Sequence, residues 1–299
     1  ATPFYAEMGG QVGDSGILVD EEGMRYAIVD TKRENNLPVH LMPKLPNDPA
    51  QTFRAEIDQE RRRMAEANHT ATHLLHQALR TVLGEHVEQK GSFVSPEVLR
   101  FDFSHYNKLT PEEIRQVEEL VTQAVRADYP REEHRNITIA EARAMGAIAL
   151  FGEKYGETVR VVKFGSSVEL CGGTHVSRTG DIGMVKIVAE SSVAAGVRRI
   201  EAITGESVEK LIYMHEDVIS SAKELFNNTP DLLKAIQHAV KENKELQKRV
   251  EDFSREKIAS MCQELLKEAR TVNGIRQIRL KTTLPPDMIK TLMFQLRNT

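Results

Sequence analysis

Two short cassettes constrain this chain more than any other feature: His69-Thr70-Ala71-Thr72-His73 and Cys171-Gly172-Gly173-Thr174-His175. Each sets two metal-competent side chains four residues apart. On a helix, positions i and i+4 stack on one face, so His69 and His73 can grip one ion from a single rigid element. In the second cassette a glycine turn lets both ends point inward. Three imidazoles and one thiolate make a tetrahedral zinc set. Any fold that satisfies both cassettes must bring two distant segments together, and chemistry belongs where they meet. Four protein ligands suit a closed structural zinc, whereas small polar neighbours (Thr70, Thr72, Thr174, Ser177) suit a reactive one, and the spacing leaves both roles open. His76, one turn beyond His73, is an alternative ligand or a supporting group.

The rest of the chain is read around that pair. Its 299 residues and 40% hydrophobic content suffice for more than one core. A net charge of −4 gives no global basic field, although local basic clusters suffice to bind RNA. Aromatics at 5% and no Trp disfavour recognition by base stacking. Two cysteines, Cys171 and Cys262, make no disulfide framework and suit a reducing compartment. There is no signal peptide and no apolar run of membrane-spanning length, so a cytoplasmic protein without a membrane partner is expected. The start at Ala1-Thr2-Pro3, without an initiator Met, reads as a processed chain or a fragment.

The pattern predicts four segments and an α+β fold. Residues 1–60 are β-rich and barrel-like, with glycine and acidic turns, and prolines 38, 43, 46 and 49 rule out a long helix between 37 and 50. Residues 61–205 form the zinc-containing domain. Its helix starts near Asp58, carries Met64, Ala67, Ala71, Leu74, Leu75, Ala78, Leu79 and Val82 at steps of three and four, and stops at Gly84. Phe93-Val94, 98–103, 158–162, 183–188 and 198–203 read as strands. Thr110-Pro111-Glu112-Glu113 opens a helix that runs to about Ala127, and Thr138–Glu141 opens a short one by the same capping box. Residues 206–271 read as two helices meeting near Asn227–Pro230. In the second, Leu232, Ile236, Ala239, Asn243, Leu246, Val250 and Phe253 keep coiled-coil spacing, predicting a self-packed helical hairpin or a dimer zipper. Asn273-Gly274 is expected to end that helix. Residues 272–299 look like the start of another α/β unit.

Beyond the two cassettes, several stretches point the same way: FYAEMGGQVGD from Phe4, HTATHLLH from His69, QKGSFV from Gln89, LRFDFSH from Leu99, CGGTHV from Cys171 and RRIEAITG from Arg198. Together they resemble the editing half of alanyl-tRNA synthetases over about residues 1–205. The helical segment and residues 272–299 resemble that family's dimerisation arm and the start of its C-terminal domain. The HxxxH and CxxxH pair is also similar to threonyl-tRNA synthetase editing domains. The resemblance implies His69, His73, Cys171 and His175 as ligands of one zinc ion, and hydrolysis of Ser-tRNA(Ala) and Gly-tRNA(Ala) without aminoacylation, since the ATP-dependent region is not in this chain. A pocket built for alanine excludes glycine and serine poorly, so a second, hydrolytic sieve is needed. The same resemblance puts Thr72 and Gln89 at the reacting amino acid, Gln11 in a glycine loop near the tRNA 3′ end, and Arg198 or Arg199 on phosphate; adjacent strand residues face opposite sides, so one of the two is expected to do so. No Ser-His-Asp or Cys-His nucleophile is apparent. Two other readings are a freestanding editing deacylase and a non-catalytic, zinc-stabilised tRNA-binding or dimerisation module.

Overall fold

A computed structural model of the chain describes residues 1–148 and 156–298. It is a mixed α+β structure in two compact units, Ala1–Met214 and His215–Thr299. No helix among the described residues is long and apolar enough to cross a membrane.

The first unit begins with five strands: β1 (Gly16–Val19), β2 (Arg25–Ile28), β3 (Asp30–Glu34), β4 (Leu37–Leu41) and β5 (Arg54–Ile57). The barrel expected of this part is not formed. The strands make an open three-stranded sheet, β2-β1-β5, and a separate β3-β4 ribbon. Short, evenly spaced strands are common to open sheets and barrels alike, so local pattern does not separate the two. Asn35 and Asn36, both at positive φ, make the tight ribbon turn, and Pro38 is tolerated because β4 pairs on one side only.

Helix α1 (Gln59–Leu83) is capped by the Asp58 carboxylate, which accepts from the Arg61 amide, and ends at Gly84 as expected. Its middle is not amphipathic: every residue from Ala67 to His76 is buried. The strands β6 (Gln89–Val94) and β7 (Leu99–Ser104) come next, then α2 (Pro111–Arg126), with both halves of its capping box made. After these lie β8 (Glu132–Thr138), α3 (Ile139–Ala144), β9 (Thr158–Phe164), β10 (Ser167–Leu170), a 3-10 turn at Thr179–Ile182, β11 (Val185–Ala194) and β12 (Val197–Thr204). The antiparallel sheet β11-β12-β7-β6 lies on one side of α1, and the sheet β10-β9-β8 meets it on another. Leu99, Phe101 and Phe103 alternate inward from β7 onto Ala71, Leu75 and Leu79 of α1 and Val117 and Val121 of α2, forming the main core. A helix enclosed in this way can hold histidines and threonines only if each finds a partner. That requirement is what builds the site.

Helix α4 (Glu206–Leu225) leads to the second unit, which holds α5 (Leu232–Glu268), β13 (Arg270–Val272), β14 (Ile275–Gln277) and α6 (Pro286–Arg297). The break between the two long helices falls where expected, with Asn227 and Asn228 at positive φ. On the expected stripe of α5, Leu232 and Ala239 are half-buried, while Ile236, Leu246, Val250 and Phe253 are exposed, as are Val218, Ile219 and Leu225 of α4. Burial on α5 starts only at Ile258, Cys262 and Leu265, which pack with Leu292 of α6. Asn273-Gly274 does not end α5, which stops at Glu268. Both residues take positive φ and turn the β13-β14 hairpin, the geometry for which Asn-Gly is suited.

Candidate metal centre

The interior of α1 presents His69 and His73 one turn apart, their rings edge-on with centroids 5.3 Å apart. Strand β10, buried along its whole length, delivers Cys171 to the same place, and the Gly172-Gly173 turn brings His175 back. The four side chains offer ligand atoms that all lie within 4.8 Å of one another. A tetrahedral zinc with bonds of about 2.0–2.3 Å needs ligand–ligand edges of about 3.4–3.8 Å, so small side-chain adjustments complete the set. Cys171 Sγ already sits 3.3 Å from His69 Nε2 and 3.2 Å from His175 Nε2.

The turn can approach this closely only because it is glycine. A Cβ on Gly173 would run into the His69 ring and come within 2.8 Å of Gln11 Oε1; one on Gly172 would meet the tip of Met8. Arg160 of β9 clamps the turn from outside, Nη1 donating to the carbonyls of Cys171 (3.0 Å) and Gly173 (2.6 Å). Arg160 is in turn held by Glu133 of β8 at 2.6 Å. That hydrogen bond, opposed by partial burial and reinforced by Arg135, brings the Glu133 carboxyl down to about 2.

The electrostatics suit a metal. Burial, then the neighbouring imidazoles and Arg160, hold His69 and His175 well below the ordinary histidine range. Burial also lowers His73, against the pull of Glu169. All three are thereby kept neutral, the form in which imidazole binds a metal. The Thr70 hydroxyl donates to the Glu66 carbonyl and accepts from the Val176 amide, so it accepts from His175 Nδ1 as well (3.1 Å). Nε2 of His175 is left with its lone pair toward Cys171. Nδ1 of His73 is buried without a hydrogen-bond partner, and such a nitrogen in a neutral, sulfur-containing cluster fits a metal ligand. The residues present therefore fit a zinc ion.

Glu169, a carboxylate that no sequence motif singles out, is almost fully buried with Oε1 2.9 Å from His76 Nδ1 and Oε2 3.5 Å from His73 Nε2. Burial pushes its carboxyl up, but His73, His76 and Arg80 prevail and hold it below the usual range. His76 is thus a partner of Glu169 and stands outside the ligand quartet. One signal for Glu169 is present in the sequence: two residues before Cys171 on a strand, it faces the same way. Arg160 is recognisable only once β9 is paired with β10.

The quartet opens on a cavity of about 340 Å³, with His69, His73 and Cys171 on its wall beside Thr72, Gln89 and Glu169. The Thr72 hydroxyl donates to the Asn68 carbonyl (2.8 Å), and Gln89 Nε2 donates to Ser92 Oγ (3.1 Å). Gln11, expected in a glycine loop near the tRNA 3′ end, is fully buried and does not line the cavity, whereas Met8 and Gly9 of the same loop do. Its Oε1 faces His69 Nδ1 (2.7 Å) and the Thr174 amide (2.9 Å), and its Nε2 donates to Thr174 Oγ1 (2.7 Å). Arg198 and Arg199 also stand apart from the cavity. They face opposite sides of β12 as expected, but each is spent on a carboxylate: Arg198 on Glu190 at 2.6 Å, and Arg199 on Asp102 through two bonds of 2.6 and 2.7 Å.

The chain is similar in sequence to known proteins. Residues 159–201 match the family described as "Threonyl and Alanyl tRNA synthetase second additional domain". Over 99% of its length the chain is 60% identical to an alanine–tRNA ligase of Porphyromonas gingivalis and 57% identical to one of Bacteroides fragilis. Over its full length it is 45% identical to one of Cytophaga hutchinsonii. The chain spans 34% of the length of each of these relatives. By sequence the chain is thus similar to alanine–tRNA ligases over the third of their length that it spans, with residues 159–201 matching the second additional domain of the threonyl and alanyl enzymes.

Proposed function

We propose that this chain is an aminoacyl-tRNA deacylase that clears mischarged tRNA(Ala), hydrolysing the ester that joins serine or glycine to the terminal ribose. The observation that carries this reading is the placement of three of the four metal-competent side chains on the wall of an open cavity instead of inside a sealed core. The homology to alanine–tRNA ligases supplies the tRNA and the need for discrimination. His69, His73, Cys171 and His175 would hold one zinc ion, which supplies Lewis-acid polarisation at the ester when bound.

The chain's own groups do the positioning. The Thr72 hydroxyl proton is committed to Asn68, so Thr72 offers the cavity an acceptor only, suited to a seryl hydroxyl or an α-ammonium group. Gln89, with one amide hydrogen held by Ser92, keeps its carbonyl oxygen and a second N–H for a ligand. The cavity is large enough to admit a small aminoacyl group. The reading is tested by deacylation of Ser-, Gly- and Ala-tRNA(Ala) with the wild type and Cys171→Ala. Cys171-dependent release of serine and glycine, with alanine spared, is the expected result; equal rates for all three sink it.

A second reading, a non-catalytic zinc-stabilised tRNA-binding module, draws on the four protein ligands, which fill a tetrahedron. It expects tRNA binding and metal-dependent folding without release of amino acid. For the helical arm we propose a homodimer seam along the largely exposed Leu232–Phe253 stripe, with Asn243 at a central position where a polar residue sets register.

A further inference from the structure

We infer that Gln11 is a positioning residue of the metal centre, one that fixes the tautomer of His69 and ties the first twelve residues to the ligand turn. The inference rests on reading the quartet as a metal site.

Gln11 is fully buried, and one end of its side-chain amide faces both the Thr174 backbone N–H (2.9 Å) and His69 Nδ1 (2.7 Å). A backbone N–H can only donate, so the atom facing it is the carbonyl oxygen. That oxygen carries no hydrogen, so His69 must donate to it from Nδ1. An imidazole that ligates a metal is neutral, so the lone pair is then on Nε2, the nitrogen 3.3 Å from Cys171 Sγ. Gln11 thereby selects which nitrogen of His69 looks toward the sulfur. Its other end closes the arrangement, Nε2 donating to Thr174 Oγ1 at 2.7 Å. Both ends of the amide are engaged inside the protein, which is why it contributes nothing to the cavity wall.

Two further features belong to the same device. Gly173 leaves room for the Gln11 oxygen, since a Cβ there would come within 2.8 Å of it. The backbone around Gln11 is fastened to β6: the Val12 amide donates to the Val94 carbonyl (3.0 Å) and the Val94 amide to the Gly10 carbonyl (2.7 Å). Strand β6 also carries Gln89 to the cavity. The Gln11 side chain and the backbone on either side of it therefore link a metal ligand to a cavity strand.

Partners that orient a ligating histidine typically carry about 10–100-fold in metal affinity. The test uses the full chain as wild type, Gln11→Met and Gln11→Glu. Zinc affinity is measured by competition with a chromophoric chelator, and the His69 tautomer by long-range ¹H–¹⁵N correlation in the metal-free protein. The wild type is expected to show Nδ1–H on His69. Gln11→Met, close in shape but without an acceptor, is expected to lose zinc affinity by about 10–100-fold and to lose the single tautomer. Gln11→Glu keeps an oxygen for His69 and Thr174, and is expected to retain the tautomer. Wild-type affinity and tautomer in Gln11→Met overturn the role of Gln11. An Nε2–H tautomer in the wild type overturns it as well, even if Gln11→Met fails to fold. Failure of the wild type to bind zinc overturns the metal reading itself.

Discussion

Single atoms decide this site, and the glycine turn shows how sharply. A methyl on Gly173 runs into the His69 ring, which α1 and its buried surroundings hold in place. A methyl on Gly172 meets only the end of the Met8 side chain, which can swing away. Gly173→Ala is therefore expected to abolish stoichiometric zinc binding and to destabilise the first unit by about 1–3 kcal/mol, whereas Gly172→Ala binds zinc nearly as the wild type does. Metal analysis and thermal melts of the two variants side by side check this. The ligands themselves are legible in the sequence, because the spacing of His69 with His73 and of Cys171 with His175 is a property of two local elements. Their partners are not. Gln11 acts across the fold, its direction set by Thr174 and His69, and Glu169 looks like any strand carboxylate until His73 and His76 close around it.

At the scale of elements, start and stop signals do well where the chemistry is local. Asp58, Gly84, Thr110 and Thr138 all mark the boundaries expected of them. Strand β8 escapes sequence reading because Glu-Glu-His-Arg-Asn-Ile-Thr has no apolar alternation, whereas Ser-Val-Glu-Leu of β10 alternates and reads as a strand before Cys171; pairing to β9 holds both in place. That pairing also carries the Glu133–Arg160 contact behind the ligand turn. The Glu133 carboxyl is depressed to about 2, so its stabilising effect is present above the ordinary glutamate range and is lost as pH falls from about 4.5 to 2. Glu133→Gln is expected to flatten that acid limb in melts taken from pH 5 to pH 2, leaving the profile above pH 6 unchanged in shape. The α5 stripe is legible as a pattern but not as a contact, since most of it is exposed in a single chain. If the stripe is a dimer seam, Leu246→Lys with Val250→Lys shifts sedimentation from dimer to monomer while serine release per chain stays the same. Wild-type sedimentation as a monomer at micromolar concentration removes the seam.

Over the whole molecule, the metal quartet lies entirely in the first unit, and the second has its own small core of Ile258, Cys262, Leu265 and Leu292. A ligand that binds only the folded state stabilises only the unit that holds it. Chelation is therefore expected to lower one thermal transition, the one reported by the first unit, and to leave the helical unit's melting in place, as calorimetry with and without chelator would show. The fold class is legible because two kinds of periodicity alternate along the chain. The division into units and the missing barrel depend on long-range pairing that no local window contains. The most direct test of zinc-dependent editing is a titration of zinc into metal-free chain, with serine release from Ser-tRNA(Ala) measured at each step. Activity is predicted to rise in proportion to bound zinc and to level off at one equivalent. Full activity in the metal-free chain, or none at one equivalent, would contradict it.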